Sequence, residues 1–190
     1  MLEELRRDHR KLRTLLSALE TQLVAAQRVG HADYPLMERV LNYLTTFPDA
    51  YHHRVEAMLF DRLRIRMPAA EPAVRALAQE FTELHHDGRR LAALLDGIIN
   101  GQMHRRFTLI EAGTSYISRF RLQMDLEELH IFRHLEKSLT SVDWQSLRCS
   151  YERMTDSSAL GRAKDAYADL DRMIWRNTHQ GDRATGIADV

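Results

Sequence analysis

Residues 2–28 read LEELRRDHRKLRTLLSALETQLVAAQR. Leu2, Leu5, His9, Leu12, Leu16, Leu19, Leu23 and Ala26 recur at steps of three and four without a slip. Such a stripe turns one face of an α-helix toward a core, as an a/d seam does in a helix bundle. Gly30 follows where a left-handed C-cap is expected. One member of the stripe is polar: His9 stands between Leu5 and Leu12.

Three further stretches carry the same period. From about Tyr34 to Arg66, Met37, Leu41 and Leu44 lead to Pro48, and His52, Glu56, Leu59 and Leu63 continue beyond it. Proline lacks an amide hydrogen and its ring clashes with the preceding turn, so a kink or split is expected at Pro48. Met67-Pro68 closes the segment. From about Glu71 to Asn100, Val74, Leu77, Phe81, Leu84, Gly88, Leu91, Leu95 and Ile98 form an unbroken heptad seam. From about Phe107 to Leu139, Ile110, Ile117, Phe120, Met124, Glu127, Ile131 and Leu135 share a broad face. Short loops between four long helices favour antiparallel neighbours. The fold class expected is all-α, an antiparallel up-down four-helix bundle over residues 1–140. A helical extension over 141–176 is expected to pack outside it, with Ser141-Val142-Asp143-Trp144 as a turn and new helix start. Residues 177–190 are polar and read as a flexible tail.

Composition narrows the function. In 190 residues, 27 Lys and Arg balance 27 Asp and Glu, leaving no net charge. A nucleic-acid binder needs a basic surplus against the phosphates, so none is expected. A single Cys excludes an intrachain disulfide or a multi-thiolate metal site. No apolar run is long enough to span a bilayer, and the charged first twelve residues do not resemble a signal peptide. A cytoplasmic protein with no membrane partner is expected. The 10 His residues are the unusual feature.

Polar residues inside the seams carry the chemistry. A buried His or Glu costs a few kcal/mol, roughly, unless it is hydrogen-bonded or metal-bound. Three helices place such residues inward: His9 on the first, His52 and Glu56 on the second, and Glu127 on the fourth. His52 and Glu56, spaced i,i+4, project from one face and can serve one centre. Gln123 and Glu127 repeat that spacing. Imidazole with carboxylate, without thiolate, suits iron, manganese or zinc.

The stretch Tyr51-His52-His53-Arg54-Val55-Glu56-Ala57-Met58-Leu59-Phe60 resembles the second-helix motif of hemerythrin-like (HHE cation-binding) proteins. Leu5 to Leu12, Leu77 to Leu84, and Gln123 through Phe132 with Asp143-Trp144 resemble the other three helices, in order, over about residues 2–148. The resemblance implies a hemerythrin-like bundle holding non-haem iron, one or two ions, with manganese or zinc as substitutes. It implies metal ligands His9, His52, His53, Glu56, His85 and Glu127. It also implies a small diatomic ligand or peroxide as partner, with sensing or binding of dioxygen, nitric oxide, peroxide or iron as the function. Two positions depart from the family pattern. Phe81 stands where the third helix offers a His, and Gln123 where the fourth does.

Rival readings stay open at this level. Glu-x-x-His occurs at Glu83-Leu84-His85-His86 and at Glu127-Glu128-Leu129-His130, the string of ferritin-like carboxylate sites. Loss of two ligands could also leave a metal-free bundle acting as a protein-interaction or regulatory module, with His9, His52 and Glu56 in a buried hydrogen-bonded network. No Ser-His-Asp set or Gly-rich phosphate loop is present, so any enzyme activity would have to come from the metal centre itself.

Overall fold

The computed structural model describes residues 1–47, 52–101, 106–155, 161 and 165–174. The helices run α1 (Leu2–Val29), α2 (Tyr34–Phe47), α3 (His53–Arg66), α4 (Glu71–Ile99), α5 (Arg106–Leu126), α6 (Phe132–Ser138) and α7 (Ser141–Thr155). A five-residue π turn, Glu127–Ile131, joins α5 to α6. No strand occurs among the described residues. The all-α bundle expected from the seams is therefore the architecture found.

The described parts of the long second segment are α2 and α3. α2 ends at Phe47, directly before Pro48, and α3 begins at His53. Pro48 itself lies outside the described residues. Gly30 closes α1 with φ 71°, in the left-handed region where a side chain would be strained. A short 3-10 turn at Pro68–Ala70 leads into α4.

Four columns surround one core: α1, α2 with α3, α4, and α5 with α6. Side-chain pairs between neighbours run in opposite senses. Arg6 meets Glu136, Arg13 meets Asp125 and Arg121 meets Glu20, so α1 opposes α5 and α6. Arg119 on α5 donates to Glu80, Glu83 and Asp87 on α4, tying that pair across the surface. Leu12, Leu15, Leu16, Leu41, Leu59, Leu63, Leu91 and Leu135 lie in the core with almost no exposure. Burial of such apolar area contributes roughly 25 cal/mol per Å² and drives the assembly. At Gly88 the helices approach closely: a Cβ built there would stand 2.7 Å from Thr45 Cγ2 and 3.2 Å from Tyr116 Oη.

α7 packs against α3 through one buried carboxylate. Asp143 accepts from the Thr140 backbone amide at 2.9 Å, while its own amide donates to Thr140 Oγ1, a capping box one residue earlier than the sequence suggests. Arg66 Nε donates to the same carboxylate at 2.7 Å and Arg62 at 3.2 Å. These hydrogen bonds and charges hold the Asp143 carboxyl well below its ordinary value. Residues 165–174 are helical and lie beside the bundle: Leu170 is buried and the Tyr167 ring stands 5.9 Å from that of Tyr43. Leu160, Ala163 and the 177–190 tail lie outside the described residues.

Candidate metal centre

Four side chains from three columns meet in the middle of this core. His9 comes from α1, His52 and Glu56 from the start of α3, and Glu127 from the first residue of the π turn. All four are at most 2 % exposed. One ligand atom from each lies within 4.8 Å of every other. His9 Nε2 stands 3.1 Å from His52 Nε2, 3.3 Å from Glu127 Oε2 and 3.6 Å from Glu56 Oε1. His52 Nε2 stands 3.1 Å from Glu56 Oε1. Donors bonded at about 2.0–2.2 Å to one ion stand about 3.0–3.5 Å apart. Three of the four separations fall in that range and the fourth, 3.6 Å, lies just beyond it, so the group is compact enough to close on one ion.

Local structure explains why these atoms converge. His52 and Glu56 lie one helical turn apart on the same face. The π turn widens the helix at Glu127, and such turns recur at functional positions. It buries Glu127 while leaving Glu128 on the flank, where it reaches back to α1. There Glu128 Oε1 lies 2.8 Å from His9 Nδ1 and accepts from Arg13 at 2.8 Å. Arg13 is anchored in turn on Asp125 at 2.7 Å. Asp8 plays a looser version of this part, with Oδ2 3.8 Å from His52 Nδ1. His9 thus offers Nδ1 to a peripheral carboxylate and Nε2 to the centre, while His52 turns Nε2 to the centre and Nδ1 toward Asp8 beyond hydrogen-bond reach. An outer carboxylate of this kind fixes ring orientation and tautomer and raises ligand basicity.

The residues fit a cation by their unmet polar demand. Neither oxygen of Glu56 has a hydrogen-bond partner, though both are sealed from solvent. The Gln123 carbonyl oxygen and His52 Nδ1 are in the same state. Buried carboxylate oxygens are normally saturated with donors, and a bound cation is one way to meet the demand. Without one, protons must do it. Burial pulls His9 down, but Glu127 and Glu56 outweigh it and push the imidazole up to about 9. Burial opposes Glu56, Asp8 and Glu127 in the same way at His52, which rises to about 10. Burial would raise Glu56, but the two imidazoles hold it well below its ordinary range. Burial and the charge of Glu56 push Glu127 up to about 8. The cluster therefore holds protons where a divalent ion would displace them.

Other residues singled out in the sequence fall elsewhere. His53 and His85 lie outside the four-residue group. His53 is half-buried with its ring 4.0 Å from that of Phe81. His85, also half-buried, lines with His53, Phe81 and Phe120 a space of about 10 Å³. Gln123 is buried and donates its amide to Glu127 Oε1 at 3.1 Å. His130 and His86 are exposed. Glu83 is exposed on the Arg119 network, away from the centre, so its Glu-x-x-His string builds no inward site. Glu128 and Asp8 are the supporting residues that the seams did not reveal. Their only sequence signal is adjacency to Glu127 and His9, with Arg13 one turn beyond His9.

No helix among the described residues is long and apolar enough to cross a membrane. No curated protein and no solved structure matches the chain. Residues 1–135 match the family model of the hemerythrin HHE cation binding domain. That span reaches into all four columns and holds His9, the His52–Glu56 pair and Glu127, and the chain belongs to the hemerythrin HHE cation-binding family.

Proposed function

We propose that this protein binds non-haem iron through His9, His52, Glu56 and Glu127, and that it senses or binds dioxygen, nitric oxide, peroxide or iron itself. The observation that carries this reading is the convergence of two imidazole Nε2 atoms and two carboxylates in the apolar core, with both Glu56 oxygens lacking hydrogen bonds. Iron held there would supply redox chemistry and affinity for small oxygen- or nitrogen-donor ligands. Manganese and zinc suit the same donors. A cavity of about 540 Å³ between α4 and α5 supports access by small neutral molecules. It is lined by Leu77, Leu122, Leu126 and Ile131, and it reaches Gln123, one hydrogen bond from Glu127.

One observation favours a second reading, in which the bundle works without metal as a regulatory or interaction module. His9 and His52 can be protonated between the carboxylates, so charge balance is reached with protons alone. Elemental analysis with a visible spectrum, on protein purified without chelator, separates the two. Iron in the wild type, lost in His52→Ala with Glu56→Ala, supports the metal reading. Metal content unchanged in that variant, or none after anaerobic loading of the wild type with ferrous iron, refutes it.

A further inference from the structure

We infer that the centre takes a single ion, and that Phe81 and Gln123 are the side chains that exclude a second. The inference rests on the metal-binding reading above and specifies its stoichiometry. Three observations carry it.

The first is the size of the group. His9, His52 and Glu56 form a tight triangle of 3.1, 3.1 and 3.6 Å, and Glu127 joins it 3.3 Å from His9, with all four ligand atoms within 4.8 Å of one another, a group compact enough for one ion. Two ions would need the donors spread over two coordination shells.

The second is the state of Glu127. A carboxylate that bridges two cations uses one oxygen on each. Here Glu127 Oε2 faces His9, while Oε1 accepts the Gln123 amide at 3.1 Å. Gln123 is itself buried and holds that hydrogen bond inside the bundle. The fourth-helix carboxylate is thereby held to one oxygen toward the centre.

The third is the set of side chains around Phe81 on α4. Phe81 has no donor atom, and its ring packs 4.0 Å from the His53 ring. The space left between His53, Phe81, His85 and Phe120 is about 10 Å³. That is at the lower limit for one water molecule, roughly 10–15 Å³. None of His9, His52, Glu56 and Glu127 lines that space, so the α4 column adds to the centre no donor such as a histidine at position 81 would offer.

The test is an anaerobic titration of the metal-free full chain with manganese(II), followed by desalting, metal analysis and electron paramagnetic resonance. One manganese per chain with the hyperfine pattern of an isolated ion is expected. Two per chain, or an exchange-coupled spectrum, overturns the inference and leaves the metal-binding reading standing. No retained manganese, with none retained on parallel titration with ferrous iron, overturns both. The variant carrying Phe81→His and Gln123→His is expected to retain two per chain. A folded variant, judged by its helical circular dichroism, that still retains one would overturn the role given to those two side chains.

Discussion

Truncation of Glu128 to alanine tests whether the centre is organised from outside its own ligand set. Glu128 touches none of the other three ligand candidates, yet its Oε1 lies 2.8 Å from His9 Nδ1. Loss of an outer carboxylate on a metal-bound imidazole typically costs about 10–100-fold in metal affinity, or roughly 1.4–2.7 kcal/mol. The cost to the metal-free fold is smaller. The Glu128 side chain is 27 % exposed, and Arg13 keeps Asp125 as a partner. One partly exposed hydrogen bond contributes about 1 kcal/mol. For a chain of this size each kcal/mol shifts the melting temperature by about 2–4 °C. Metal-free Glu128→Ala is therefore expected to melt about 2–4 °C below the wild type. With metal in excess, the weaker binding adds a further loss of roughly 3–10 °C. The affinity is read by competition against a chelator of known strength, and the melting by circular dichroism with and without metal. The reasoning fails if chelator competition shows unchanged affinity. It also fails if metal-free and metal-loaded proteins lose the same number of degrees, which is what a merely structural role would give.

Two other predictions concern the protons and the packing. His9 at about 9 and His52 at about 10 lie above their ordinary 6.5, and Glu127 at about 8 lies above its ordinary 4.5. A group raised in the folded state lends stability below its unfolded value and loses it as pH rises through the folded one. Glu56 is lowered and acts oppositely, losing its contribution only as pH falls below its ordinary 4.5. Metal-free protein should thus lose stability from about pH 4.5, through Glu127, to about pH 10, most steeply above 6.5 where the imidazoles join it, seen as a falling urea midpoint, while metal affinity climbs over the same range as protons stop competing; a flat or rising midpoint would contradict the burial of these groups. Gly88→Ala should destabilise by about 1–2 kcal/mol, because the new Cβ would stand 2.7 Å from Thr45 Cγ2 and this overpacking exceeds the gain of about 1 kcal/mol in helix propensity. Removing that methyl with Thr45→Ser should recover most of the loss in urea denaturation, and additive losses would disprove the contact.

The seams of Leu2 to Ala26 and Val74 to Ile98 were legible because a helix buried on one face must repeat its apolar residues every three or four positions. The same period exposed His9, His52, Glu56 and Glu127, since a polar residue at a core position has to be matched inside the protein. The supporting residues were not legible. Asp8 and Glu128 sit one position away from seam residues and look like ordinary surface acids until α1 is laid antiparallel to α5.

Sequence by itself determined what each helix must bury: four apolar stripes, with two imidazoles and two carboxylates on them. Only the tertiary structure decided how those groups meet. It set the Nε2 atoms of His9 and His52 3.1 Å apart, and turned Glu128 onto the far side of His9 through the π turn at Glu127–Ile131. It also spent one oxygen of Glu127 on Gln123. The physical reason is that periodicity is a property of one helix, fixed by backbone geometry. The register between columns is a property of the packed core, where all the side chains have to fit at once.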